Sequence, residues 1–119
     1  MMQKRKHQTG ILILSTFPNE EVAVSIAKEL IINKRLCACI NLAKVRSLYS
    51  WKNVFEDHEE IVALFKTTRF SVDKLKSTIK KIHPYEVPEI VEITMDDVSE
   101  LYLKWMVQST TIKPKELRI

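Results

Sequence analysis

The chain has 119 residues, 45% apolar and 29% charged, which suits one domain with a real core and excludes a mainly disordered protein. No apolar run approaches the roughly 20 residues of a membrane-spanning helix, and the opening MMQKRKHQTG lacks the apolar centre of a signal peptide, so a cytoplasmic protein without a membrane partner is expected. The formal charge of +4 owes much to Lys4, Arg5 and Lys6 at one end and Lys113, Lys115 and Arg118 at the other, so the body is near balance and no specific nucleic-acid partner is expected.

ILILSTF, residues 11–17, is β-branched and apolar and is closed by Pro18 and Asn19, which predicts a buried strand. Asn19 is a good N-cap, Glu20 and Glu21 suit the first turn of a helix, and Ala23, Ile26, Ala27 and Leu30 form its apolar stripe. That helix should end near 33–35. From Leu36 to Trp51 the pattern is β-like, with a bulge or bend predicted at 44–47 where the apolar parity changes.

WKNVFEDHEE is polar enough to be a connection into IVALFKTT, residues 61–68, and the short link predicts antiparallel neighbours. Ser71 is the expected cap of a second helix along Val72, Leu75, Ile79 and Ile82, with Lys74, Lys76, Lys80 and Lys81 toward solvent. Pro84 stops it. EIVEIT, residues 89–94, predicts a fourth strand, and Ser99 a cap for a last helix through Leu101, Tyr102, Trp105 and Met106.

The order β-α-β-β-α-β plus a terminal helix is that of an α+β, ferredoxin-like sandwich spanning residues 11–110, flanked by a flexible basic tail at 1–10 and a C-terminal tail at 111–119. Ile61, Ala63 and Phe65 alternate with Val62 and Leu64, so the third strand wants burial on both faces. Helices of one chain cover one face. The other would be an apolar association surface, which predicts an oligomer.

STFPNEE, LCACIN, VRSLYSW, EEIVALFKTT and HPYEVPEI occur in the order and spacing of the CutA family, the divalent-cation tolerance proteins, which the chain resembles over residues 11 to about 110. The resemblance implies a tight homotrimer, association with copper and other divalent metal ions, and a response to metal. It implies that the terminal helix and the long second and third strands join in assembly, with the proline-framed segment near clefts between subunits. Ser15 departs from the family pattern: some metal-binding members carry cysteine there. Ile82 precedes His83 where a histidine pair is found, and WKNVFED replaces a glycine-bearing turn.

His83 reads either as a metal or small-ligand contact at a subunit cleft or as a helix C-terminal histidine bonded to a carbonyl. Tyr85 and Glu86 would line the same cleft or serve packing and ion pairing, and Tyr49 and Trp51 are placed with them at cleft or interface. Cys37 and Cys39 form a C-x-C that would suit a thiophilic metal, Cys39 being the stronger candidate, or are small buried residues of a strand. FEDHEE gathers Glu56, Asp57, His58, Glu59 and Glu60, which would suit a hard cation, but a charge run beside a hairpin reads first as solvated.

Gly10 is the sole glycine, so there is no glycine-rich phosphate loop, and no nucleophile motif appears; a non-enzymatic protein requiring no cofactor is expected, with a divalent ion, copper foremost, as ligand. An RNA-binding sheet lacks its aromatic signature here. The alternative reading is a small-molecule-sensing trimer resembling the nitrogen-regulatory signal proteins.

Overall fold

The computed structural model describes residues 9–110; the expected tails, apart from residues 9 and 10, lie outside the described residues. Strands β1 (Gly10–Phe17), β2 (Cys39–Trp51), β3 (Val54–Thr68) and β4 (Val91–Thr94) alternate with helices α1 (Glu20–Lys28), α2 (Arg69–Ile82) and α3 (Glu100–Thr110). The sheet order is β2-β3-β1-β4 and every pairing is antiparallel, as a ferredoxin-like βαββαβ chain requires.

One sheet face makes the core. Ile11, Ile13 and Phe17 of β1 lie opposite Thr67, Phe65 and Ile61 of β3 and are fully buried, joined by Ala23, Ile26 and Leu30 from the first helical segment and Val72, Leu75 and Ile79 from α2. Phe17 meets Phe65 edge to face, with ring centroids 6.2 Å apart. Each such side chain contributes about 1.5–3 kcal/mol by leaving water.

Asn19 caps α1 as its sequence predicts, its Oδ1 accepting from Val22 N–H at 2.9 Å. The helix widens into a π-turn at Glu29–Asn33 and closes with Lys34 N–H on Glu29 O and Leu36 N–H on Leu30 O. Arg35 takes the left-handed conformation there, φ 53°, where helices usually place glycine.

Several local expectations are corrected. β2 and β3 pair in unbroken register from Cys39↔Lys66 to Trp51↔Val54, so no bulge interrupts residues 44–47. The connection is not ten residues long but two: Lys52 and Asn53, with φ 51° and 67°, form the primed type of turn that matches strand twist. All of FEDHEE therefore belongs to β3. Thr68, not Ser71, holds the N-cap position of α2, and Ser71 is buried in the first turn with its hydroxyl donating to Thr110 O at 3.4 Å.

Ile82 falls outside the stripe and is exposed. Lys76 is half-buried and pairs with Glu92 of β4, 2.6 Å away, and Arg69 reaches the same carboxylate at 2.8 Å. These cations hold the Glu92 carboxyl below its ordinary range. β4 is shorter than expected, because residues 89 and 90 make no strand pairing.

The second sheet face is covered at one end only. Met106 of α3 is fully buried near Gly10, whose missing side chain leaves room for Met95, Val98 and Met106, and Lys66 reaches over the Tyr102 ring at 5.6 Å. The terminal helix thus shields part of the face that the sequence reading left wholly bare. Leu14 and Leu64 stay half-buried, and Val91 and Ile93 are exposed. Beyond Phe17↔Ile61, β2 and β3 continue alone as a two-stranded arm, residues 45–51 against 54–60, that exposes Leu48, Tyr49, Trp51, Val54 and Phe55.

Candidate functional site

A cleft of about 900 Å³ opens where the arm leaves the sheet, between Thr16 and Pro18 of the first strand's end, residues 47–51 and 58–60 of the arm, and the connector 84–89. Register explains why the arm contributes. Ser47↔His58 and Tyr49↔Glu56 are opposed pairs, so Ser47, Tyr49, His58 and Glu60 share one face of the ribbon.

Pro84 ends α2 and drives His83 out of helical geometry, to φ −70° and ψ 136°. The ring turns inward. It is 9% exposed, stacks on Phe17 with centroids 4.5 Å apart, and lies 4.9 Å from the Tyr85 ring. Its Nε2 is 2.9 Å from Thr16 O and 3.2 Å from Ser15 Oγ, while Nδ1 is 3.1 Å from the Tyr85 amide nitrogen. A carbonyl only accepts and an amide N–H only donates, so Nε2 carries the proton and Nδ1 presents its lone pair to Tyr85. The imidazole is neutral. Burial holds its pKa below the ordinary histidine value, against the opposing pull of the Thr16 carbonyl and the Glu60 charge.

Both ring nitrogens are therefore engaged within the chain, and a metal on His83 would have to displace one of these bonds. The carbonyl that His83 meets belongs to β1 and not to the helix it ends. Ser15 lies beside His83, so the two positions singled out in the sequence meet at one point of the fold.

Tyr85 closes the site from above: its hydroxyl donates to Glu60 Oε2 at 2.6 Å. Burial and the adjacent carboxylate push the phenol pKa well up, so it remains a donor. Glu86 lines the cleft mouth, as do Tyr49 and Trp51, each a little over 40% exposed. Lys52 folds back over the Trp51 ring at 5.6 Å. His58 Nε2 is 2.6 Å from Glu56 Oε1, and the His58 ring lies 6.2 Å from that of Tyr49.

The cysteines lie elsewhere. Cys39 is half-buried opposite Lys66, at the other end of β2, and Cys37 is 1% exposed with its thiol pKa pushed up to about 12 by burial and the neighbouring Cys39. Both are free thiols. The two metal candidates, His83 and Cys39, are thus not brought together. Among the described residues, no three of histidine, cysteine, aspartate and glutamate converge as a metal centre.

Sequence reasoning missed Thr16 and Ser47 and set His58 and Glu60 aside as solvated charge. The signal was there in the spacing Glu56, His58, Glu60, which on a strand faces one way. It was hidden by reading those residues as a loop.

The CutA1 divalent ion tolerance protein family model matches residues 11–109. The divalent-cation tolerance protein CutA of Pyrococcus horikoshii is 42% identical over 100 residues, covering 84% of this chain and 97% of its own length. The protein of the same name from Thermotoga maritima is 41% identical over 99 residues, covering 83% of this chain and 97% of its own. The crystal structure of CutA1 from Pyrococcus horikoshii superposes with a TM-score of 0.82 at 40% identity, over 86% of this chain and 99% of that one. The fold, the pocketed connector HPYEVPEI and these matches agree: the chain belongs to the CutA1 divalent ion tolerance family.

Proposed function

We propose that this chain works in the cytoplasm as a subunit of a homotrimer that associates with divalent cations, copper foremost, at the arm cleft, and that it binds rather than catalyses. The observation that carries the reading is the sign of the cleft. Its charged lining is Glu59, Glu60, Glu86 and Glu89 beside His58, with no lysine or arginine among the described lining residues, in a chain whose formal charge is +4. Such a concavity attracts cations and repels phosphates, which weighs against a nucleotide sensor. The exposed imidazole of His58, already against the Glu56 carboxylate, is the nitrogen that a Cu(II) ion prefers.

Assembly is supported by the uncovered apolar surface. Val91 and Ile93 on the second sheet face, and Leu48, Val54 and Phe55 on the arm, are more than 40% exposed, apolar surface that neighbouring copies would bury. Further metal ligands would then come from adjacent protomers. A thermal-shift screen of divalent metals against nucleotides, with light scattering on the same samples, tests both parts. A particle about three times the 13.9 kDa chain, stabilised by copper and not by nucleotides, is expected. A monomer, or stabilisation by nucleotides alone, would overturn the reading.

A further inference from the structure

We propose that His83 is a pH-operated latch on the cleft: neutral and anchored on β1, it holds the connector 85–87 through the Tyr85 amide, and protonated, it lets that connector open. The inference does not depend on what the cleft binds.

The latch follows from which atoms donate. Nε2–H is taken by Thr16 O at 2.9 Å, so the second nitrogen is the one that must gain a proton. That nitrogen is the acceptor of the Tyr85 amide N–H at 3.1 Å. Protonation therefore sets two N–H groups against each other across a bond that had been satisfied. The ring cannot slide away, because Phe17 stacks beneath it and β1 holds its other nitrogen. The connector has fewer ties. Residues 83–90 make no ladder hydrogen bonds, and Pro84 and Pro88 remove two amides. The Nδ1 bond ties it to the anchored ring, and the Tyr85 hydroxyl on Glu60 ties it to the arm.

Each element packed on the ring contributes differently to its electrostatics. β1 presents Ser15, Thr16 and Phe17, all uncharged. β3 presents Glu60, which attracts an imidazolium and so opposes opening. The last turn of α2 carries Lys80 and Lys81, which are exposed and of the opposite tendency. Burial outweighs the Glu60 attraction, and the ring's proton affinity is lowered in the closed form. Linkage then requires acid to favour the open form, in which the imidazole meets water.

Hydrogen–deuterium exchange of the assembled wild-type protein from about pH 7.5 to about pH 5 tests this, each rate being normalised to that of an unstructured chain. The C2-proton exchange of His83, read from the same peptides, gives its own titration. Protection of the Tyr85 amide, the one bonded to the ring, should fall by up to about tenfold per pH unit over the His83 titration, while α1 and β1 stay protected. In His83→Gln that pH dependence should vanish. Protection that ignores pH, follows a titration other than that of His83, falls together with α1 and β1, or persists with the same pH dependence in His83→Gln would overturn the latch. Should His83→Gln fail to assemble, the coincidence of the two wild-type titrations decides alone.

Discussion

The Tyr85 hydroxyl donates to Glu60 Oε2 at 2.6 Å, tying a proline-stiffened connector to a strand 25 residues earlier in the chain. The bond joins the two halves of the cleft wall. Without it, the arm and the connector meet mainly through side chains that are open to solvent.

Tyr85→Phe keeps the ring over His83 and removes that bond. A hydrogen bond to a charged acceptor contributes about 1.5–3 kcal/mol when shielded, and partial exposure here reduces the expected loss to about 1 kcal/mol. Thermal unfolding of the variant beside wild type measures it. An unchanged midpoint would mean that Glu60 finds water as good a partner.

The stability of the protein should fall as pH drops from about 6.5, the ordinary histidine value, toward the lower value of folded His83. The sign follows from proton counting: in that window the unfolded chain binds a proton that the folded chain refuses. Denaturant titrations at several pH values should therefore show a slope that His83→Gln lacks.

Much of this site was legible in the sequence, and its limits have physical causes. Pro84 and Pro88 announced a rigid connector because proline constrains its own residue and the one before, and His83 adopts the extended backbone that follows. The Asn19 cap and the Phe65 and Ile79 core positions were readable for similar local reasons. The hairpin was not. Lys52 and Asn53 carry no glycine, yet both take positive φ; asparagine tolerates this, and at Lys52 the tight pairing on either side outweighs the local preference. Once that turn was missed, His58 and Glu60 could not be seen to share a face with Ser47 and Tyr49. The Tyr85–Glu60 bond is a tertiary choice that no spacing encodes.

The turn itself can be improved. Replacing Lys52 with Asn and Asn53 with Gly installs the pair preferred where both central residues have positive φ. The double variant should gain about 1 kcal/mol, because a left-handed backbone costs an ordinary residue roughly 1–2 kcal/mol and asparagine or glycine less. A rise in the unfolding midpoint would be the sign. A fall would point to the Lys52 contact with Trp51 as the larger effect.

The thiols should separate by reactivity. Cys37 is buried and stays protonated to about pH 12, so it should resist alkylation in the native protein and react after denaturation, whereas half-buried Cys39 should label earlier. The same shift sets an alkaline limit. Above about pH 9 the unfolded thiol ionises while the folded one does not, so stability falls as pH rises. Mass spectrometry of the labelled peptides distinguishes the two sites, and native labelling of Cys37 ahead of Cys39 would contradict this ordering.

The proposed homotrimer makes its sharpest demand on Leu64. It lies half-buried at mid-strand on the second sheet face, opposite Leu14, with Asn41 on its other side. α3 stops short of covering this face, whose neighbours Val91 and Ile93 remain exposed. In an assembled particle Leu64→Glu would place a carboxylate in a dry interface, and an unpaired buried charge costs several kcal/mol. Lys66→Glu on the same face should be far milder, because Lys66 is already charged and lies at the end that α3 shields, near Tyr102. Light scattering at micromolar concentration should therefore find Leu64→Glu dissociated and Lys66→Glu assembled. If both behave like wild type, the second face is not where the copies meet, and the exposed flank of the arm, Leu48 and Phe55, becomes the surface to mutate.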